Sequence, residues 1–148
     1  MVYYLSLGAN LGNRERTIRQ ALKQIEQQAG PILRCSTFYY SAPWGFESAN
    51  EFCNLCCAVQ TDKQPLEVLA VTQRIETALG RQKKSLDGHY SDRPIDIDLI
   101  MAFDDSGNEI KCKNVQMVNG QMVNILTLPH PLWQEREFVK VPLAEIML

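Results

Sequence analysis

The chain has 148 residues, enough for one domain with a core of its own rather than a stapled mini-protein. Hydrophobic residues make up 45% and charged residues 22%, and a formal net charge of −2 excludes the global basic field that advertises nucleic acid or an anionic membrane. An odd count of 5 cysteines and the lack of any apolar run of membrane-spanning length predict a reducing, cytoplasmic setting.

Val2–Leu7 is apolar and β-prone, and Gly8-Ala9-Asn10-Leu11-Gly12-Asn13 punctuates it. Asn13 is placed to cap a helix whose apolar positions Ile18, Ala21, Leu22, Ile25 and Ala29 keep the helical period, with Gly30-Pro31 as its stop. The loop GANLGN matches neither a Walker A loop nor a dinucleotide fingerprint. A second strand is predicted over Ile32–Tyr40, followed by the loop SAPWGFESANE over Ser41–Glu51. Its Trp44 and Phe46, with Phe52 just beyond, either tuck onto the core or meet a flat ligand.

Cys53–Thr61 predicts a third strand. Cys53-Asn54-Leu55-Cys56 has C-x-x-C spacing but no second ligand pair, so small buried hydrophobes are the simpler reading than zinc ligands. Pro65 suits a helix start, Val68, Val71, Thr72, Ile75 and Leu79 share one face, and Gly80 ends the helix. A polar loop over 81–94 leads into the strand Ile95–Phe103, and Asp104-Asp105-Ser106-Gly107 turns the chain. Val115–Val118 and Gln121–Leu126 flank Asn119-Gly120, a strong hairpin signal. The pattern breaks at Thr127-Leu128-Pro129-His130-Pro131. A last helix over Phe138–Ile146 turns Val139, Leu143 and Ile146 inward, with Pro142 expected in its first turn. The order predicts one α+β domain over residues 1–148: a ferredoxin-like βαββαβ core, an extra β-hairpin and a short C-terminal helix.

The chemistry concentrates at Asp96-Ile97-Asp98. Side chains alternate along a strand, so Asp96 and Asp98 share one face, roughly 6–7 Å apart at Cα, while Ile95, Ile97 and Leu99 take the other. Two adjacent carboxylates repel unless cations hold them together, and hard divalent ions prefer carboxylate oxygen. Arg81, Lys83, Lys84, His89 and Arg93 lie just upstream, groups suited to an anionic ligand. That layout fits Mg-assisted phosphoryl transfer, whereas a solvated pair at a strand exit is the bland alternative. Spacing alone does not choose between them.

Several further stretches narrow the choice: YLSLGANLG near the start, SAPWG, Phe52–Asn54, TQRIETALGR at 72–81, RPIDIDLI at 93–100, LPHP at 128–131 and REF at 136–138. Their joint order and spacing, over nearly the whole chain, resemble the 6-hydroxymethyl-7,8-dihydropterin pyrophosphokinase family of folate biosynthesis. The resemblance implies transfer of the β,γ-diphosphate of ATP to the pterin's hydroxymethyl group, releasing AMP. It implies two Mg²⁺ ions held by Asp96 and Asp98, with Arg81 and Arg93 joining them in catalysis. ATP binding maps to Gln73, Lys83, Leu99, Thr127, His130 and Arg136. Pterin binding maps to Ser41, Ala42, Trp44, Phe52, Asn54, Tyr90 and Phe138, with Trp44 and Phe138 as the stacking pair and Asn54 reading the polar edge through a donor and an acceptor. The implied protein is a cytoplasmic monomer whose partners are ATP and the pterin, with neither nucleic acid nor membrane. Ordered assembly follows as an expectation, with Mg-ATP first and loops 41–51 and 81–93 closing over the pterin.

The chain departs from the family pattern at Lys83, where an arginine is usual, at Tyr90-Ser91-Asp92-Arg93, where Trp-Gly-Pro-Arg is usual, and at Gln134, where a lysine is usual. The segment before His130 is longer by the Asn-Gly hairpin, and the chain stops at Leu148, short of the customary tail. Three rivals remain in play: a nucleotidyl transferase using the same D-x-D, a ferredoxin-like binding module, and a degenerate paralogue that binds pterin without turnover.

Overall fold

The computed structural model describes residues 1–42, 50–80 and 94–147. Strand β1 (Val2–Ala9) sets the frame, because its alternation divides the molecule into two sides. Tyr3, Leu5, Leu7 and Ala9 join the main core, while Ser6 and Gly8 face the other way into a cleft. Helices α1 (Arg14–Gln28) and α2 (Pro65–Ala78) supply Ile18, Ala21, Ile25, Val68, Val71 and Ile75 to that core. Asn13 caps α1 by accepting the Arg16 amide at 3.2 Å, and Glu67 accepts the Gln64 amide at 2.9 Å ahead of α2.

Four strands form the antiparallel path β2 (Ile32–Cys35), β4 (Phe52–Gln60), β1 and β5 (Asp96–Phe103), and β3 (Tyr39–Ser41) pairs with the far end of β4. The single strand expected over Ile32–Tyr40 is therefore two. Cys35 lies opposite Cys57 and Tyr39 opposite Asn54, so three residues on one side face two on the other. Ser36 causes the interruption by letting its hydroxyl accept the Cys56 amide at 2.9 Å, a bond the backbone would otherwise make. In β5 the expected alternation holds through Leu99 and then shifts by a bulge opposite Tyr4 and Leu5. Ile100 and Met101 both pack with Val139, Leu143 and Ile146 as a result, and Ala102 returns to the main core.

The hairpin β6 (Cys112–Val118) and β7 (Gln121–Leu128) is longer at both ends than expected and turns at Asn119 and Gly120, both with positive φ. Leu126 and Leu128 dock it on the main core, and just past β7 the His130 amide donates to the Ile100 carbonyl at 2.7 Å. On the opposite face lies helix α3 (Glu137–Ile146). Pro142 is inside this helix rather than in its first turn. It lacks an amide to offer the preceding turn, but it shares the buried stripe with Val139, Leu143 and Ile146, and that burial outweighs one missing bond.

Cys53 belongs to the main core and Cys56 to the α3 side, as a spacing of three in a strand dictates, so the pair cannot converge on one metal. Burial pushes the Cys53 thiol up to about 11 and the Cys56 thiol to about 12, which keeps both in the form that binds metal poorly. No helix of the described residues is long and apolar enough to cross a membrane.

Candidate active site

Three strands and the start of α3 bring one cleft together. β1 contributes Ser6 and Gly8, β4 contributes Phe52 and Asn54, and β5 contributes Asp96 and Asp98. Register explains the grouping, since Gly8 lies opposite both Asn54 and Asp96, and Ser6 opposite Asp98. Ser41, Ala42, Arg136 and Phe138 complete the lining. Two phenylalanine rings, Phe52 and Phe138, set among polar and charged side chains suit a flat ring with a polar edge.

Asn54 is almost fully buried, and its amide nitrogen donates to the Tyr39 carbonyl at 3.0 Å and to Ser41 Oγ at 2.9 Å. Both amide hydrogens are thereby committed, and Oδ1 is the atom that approaches the open position above Gly8. A Cβ built on Gly8 would lie 3.0 Å from that oxygen and 3.6 Å from Phe52, so the missing side chain is what keeps the floor open. Asn54 thus turns its donors to Tyr39 and Ser41 and its acceptor, Oδ1, toward Gly8.

Arg136 is 2% exposed, yet its guanidinium reaches to 3.9 Å from the Asp98 carboxylate and lies 5.8 Å from the centre of the Phe138 ring. A buried cation beside two carboxylates offsets part of their repulsion and leaves a site that takes further positive charge. Asp98 itself is 23% exposed at its side chain, open enough to meet a ligand.

A second cleft shares Asp98 with the first. Leu69 of α2, Ile97 and Leu99 of β5, and Leu126 and Thr127 of β7 line it, together with His130. The Leu132 amide donates to His130 Nδ1 at 3.1 Å. In the neutral ring this assigns the proton to Nε2 and makes that nitrogen a donor rather than a base.

Of the residues singled out from the sequence, Ser41, Ala42, Phe52, Asn54, Asp96, Asp98, Arg136 and Phe138 meet in the first cleft. Asp98, Leu99, Thr127 and His130 meet in the second. Gln73 is exposed on the outer side of α2, in a shallow depression with Ala70, Arg74 and Thr77, and lines neither. Trp44, Arg81, Lys83, Tyr90 and Arg93 lie outside the described residues. Sequence reading passed over Ser6, Gly8 and the hairpin wall Asn124–Leu126. For the first two, the available signal was their own period-2 spacing, small and polar residues alternating with Leu5, Leu7 and Ala9.

The chain matches the family model described as 7,8-dihydro-6-hydroxymethylpterin-pyrophosphokinase (HPPK) over residues 4–148. It is 40% identical over 145 residues to a 2-amino-4-hydroxy-6-hydroxymethyldihydropteridine pyrophosphokinase of Porphyromonas gingivalis, covering 98% of this chain and 90% of that protein. A like-named protein of Bacillus subtilis is 32% identical over 146 residues, covering 98% and 77%. A crystal structure of HPPK-DHPS in complex with substrates matches with a TM-score of 0.66 and 17% identity, over 98% of this chain and 40% of that one, which is a likeness of fold.

Proposed function

This chain belongs to the 7,8-dihydro-6-hydroxymethylpterin-pyrophosphokinase family, and from that premise we propose how its two clefts divide the reaction. The enzyme transfers a pyrophosphoryl group from ATP to hydroxymethyldihydropterin in folate biosynthesis. The hydroxymethyl oxygen bonds to the β-phosphorus, the bridge between the α- and β-phosphates breaks, AMP leaves, and the hydroxyl proton is lost.

In our reading the pterin lies in the cleft floored by Gly8, with Asn54 Oδ1 accepting from an N–H on its edge and Phe138 against its face. ATP lies in the cleft of Leu99, Thr127 and His130, whose Nε2–H donates to a phosphate oxygen. The observation that carries this division is that both clefts open on one carboxylate, Asp98. Among the described residues Asp98 alone lines both clefts, so we place the meeting of the hydroxymethyl group and the phosphates there.

Asp96 and Asp98 would hold Mg²⁺. The donor set suits that ion, which takes one or two carboxylates and leaves its remaining positions to phosphate and water. Among the described residues no three His, Cys, Asp or Glu side chains converge, consistent with substrate completing the coordination. When bound, two such ions would offset phosphate charge and align the reacting groups. Arg136 adds fixed positive charge beside the same phosphates. Arg81, Lys83 and Arg93 are proposed as further phosphate ligands, Trp44 and Tyr90 as further pterin contacts, and Gln73 as an ATP contact. The strand order, with α1 and α2 on one face, supports a ferredoxin-like core within one domain. Five free thiols support a reducing, cytoplasmic setting, and we read the enzyme as a monomer.

The division predicts that Gly8→Ala selectively harms the pterin. A methyl 3.0 Å from Asn54 Oδ1 must displace the acceptor, and about a 10-fold higher KM for pterin is expected, roughly 1.4 kcal/mol, with KM for ATP unchanged. Steady-state kinetics with each substrate varied checks it. The reaction itself is tested by chromatography of products from Mg-ATP and 6-hydroxymethyl-7,8-dihydropterin. AMP and a diphosphorylated pterin in equal amounts are expected. Pyrophosphate release would instead indicate a nucleotidyl transferase, and pterin binding without turnover a degenerate relative.

A further inference from the structure

Strand β5 is the last strand on the four-strand path, and among the described residues no strand pairs with Ile97 on its outer edge. The Ile97 amide, between Asp96 and Asp98, donates instead to Glu76 Oε2 at 2.8 Å. Glu76 comes from the last turn and a half of α2 and is 3% exposed. It occupies a helical position one turn beyond Thr72 on the face that otherwise carries Val68, Thr72 and Ile75 into the core. Burying a carboxylate there is costly, and the charge-assisted bond from the Ile97 amide offsets part of that cost.

We propose that Glu76 is a positioning residue for the reaction. By receiving the Ile97 amide it fixes the Asp96–Ile97 peptide plane, directly C-terminal to Asp96 and one residue before Asp98, and so restrains the strand from which their two carboxylates project. The effect is local for a geometric reason. On its inner side β5 is held by β1 through Gly8 opposite Asp96 and Ser6 opposite Asp98, and Glu76 supplies the matching restraint on the outer side. Two carboxylates on a strand held from both edges are preorganised for ions that tolerate little error in geometry. This inference rests on the proposed role of Asp96 and Asp98 as metal ligands.

The test compares Glu76→Gln, which keeps an oxygen for the Ile97 amide, with Glu76→Met, which keeps the volume and loses the acceptor. Mn²⁺ binding in the presence of a non-hydrolysable ATP analogue is measured by electron paramagnetic resonance, alongside pterin binding by calorimetry and Tm. Glu76→Met is expected to raise the Mn²⁺ Kd at least 10-fold with pterin binding unchanged, while Glu76→Gln stays within about 3-fold of the parent. Glu76→Ala serves as a second variant if Glu76→Met does not fold. Equal Mn²⁺ affinity in the Met (or Ala) and Gln variants would overturn the proposal, as would a loss of pterin binding as large as the loss of metal binding. Asp98→Asn is the control that separates the two claims. If it leaves Mn²⁺ binding intact, the metal reading fails, and if it weakens binding while Glu76→Met does not, only the Glu76 inference fails.

Discussion

Asp98→Asn is expected to lower kcat by about 10³-fold or more, roughly 4 kcal/mol of transition-state stabilisation, while leaving the fold intact. Asparagine has the same outline and removes only the charge. Asp98 is the residue common to both clefts, so its charge acts on the phosphates and on the hydroxymethyl group at once. Its backbone pairing with Ser6 survives the change, while the buried Arg136 guanidinium 3.9 Å away loses its counter-charge, so a lower Tm is expected beside the loss of rate. A single-turnover measurement at saturating Mg²⁺ and ATP, with Tm recorded in parallel, separates chemistry from folding. A loss below 10-fold would mean that Asp98 does not serve the transferred group.

Arg136→Met carries the second large effect. Arg136 is buried at the start of α3, between the Asp98 carboxylate and the Phe138 ring. Met occupies similar volume without charge, so kcat/KM for ATP should fall about 10²-fold, near 2.7 kcal/mol. Stability should hold or rise, because a desolvated cation is replaced by an apolar chain and Asp98 keeps its access to solvent. Arg136→Lys should recover part of the activity, since it restores charge but not the planar group that faces Phe138. Full activity in the Met variant would remove Arg136 from the reaction. Equal activity in the Lys variant and the parent would reduce its role to charge alone.

The ease with which this site can be read varies with how local its causes are. Strand alternation put Asp96 and Asp98 on one face, and the apolar period of α1 and α2 marked the residues that cover the other. Asn119-Gly120 announced its hairpin because two consecutive positive φ angles need those residue types. The interruption at Ser36 was not legible, because a hydroxyl replacing a backbone acceptor leaves no trace in the pattern of a β-prone run. Pro142 misled for a related reason: local propensity argued against its position, and tertiary burial decided it.

Gly8 and Ser6 became site residues only through register, which a single strand does not encode. Arg136 and Phe138 were legible as residues of a family pattern but not as neighbours of Asp98, since α3 reaches the site from beyond the hairpin. Glu76 did leave a sign. A carboxylate one turn beyond Thr72, on a face that buries Val68 and Ile75, is out of place unless something across from it requires charge. Gln73 is the converse case, adjacent in sequence to the buried Thr72 yet rotated to the outside of the helix.

The most direct test of the two-cleft account is a crystal structure with 6-hydroxymethyl-7,8-dihydropterin, Mg²⁺ and a non-hydrolysable ATP analogue bound together. The account predicts the pterin over Gly8 between Asn54 and Phe138, the nucleotide along Leu99, Thr127 and His130, and the hydroxymethyl oxygen facing the β-phosphorus beside Asp98. Pterin seated against the hairpin wall at Asn124–Leu126, or both ligands in one cleft, would contradict it.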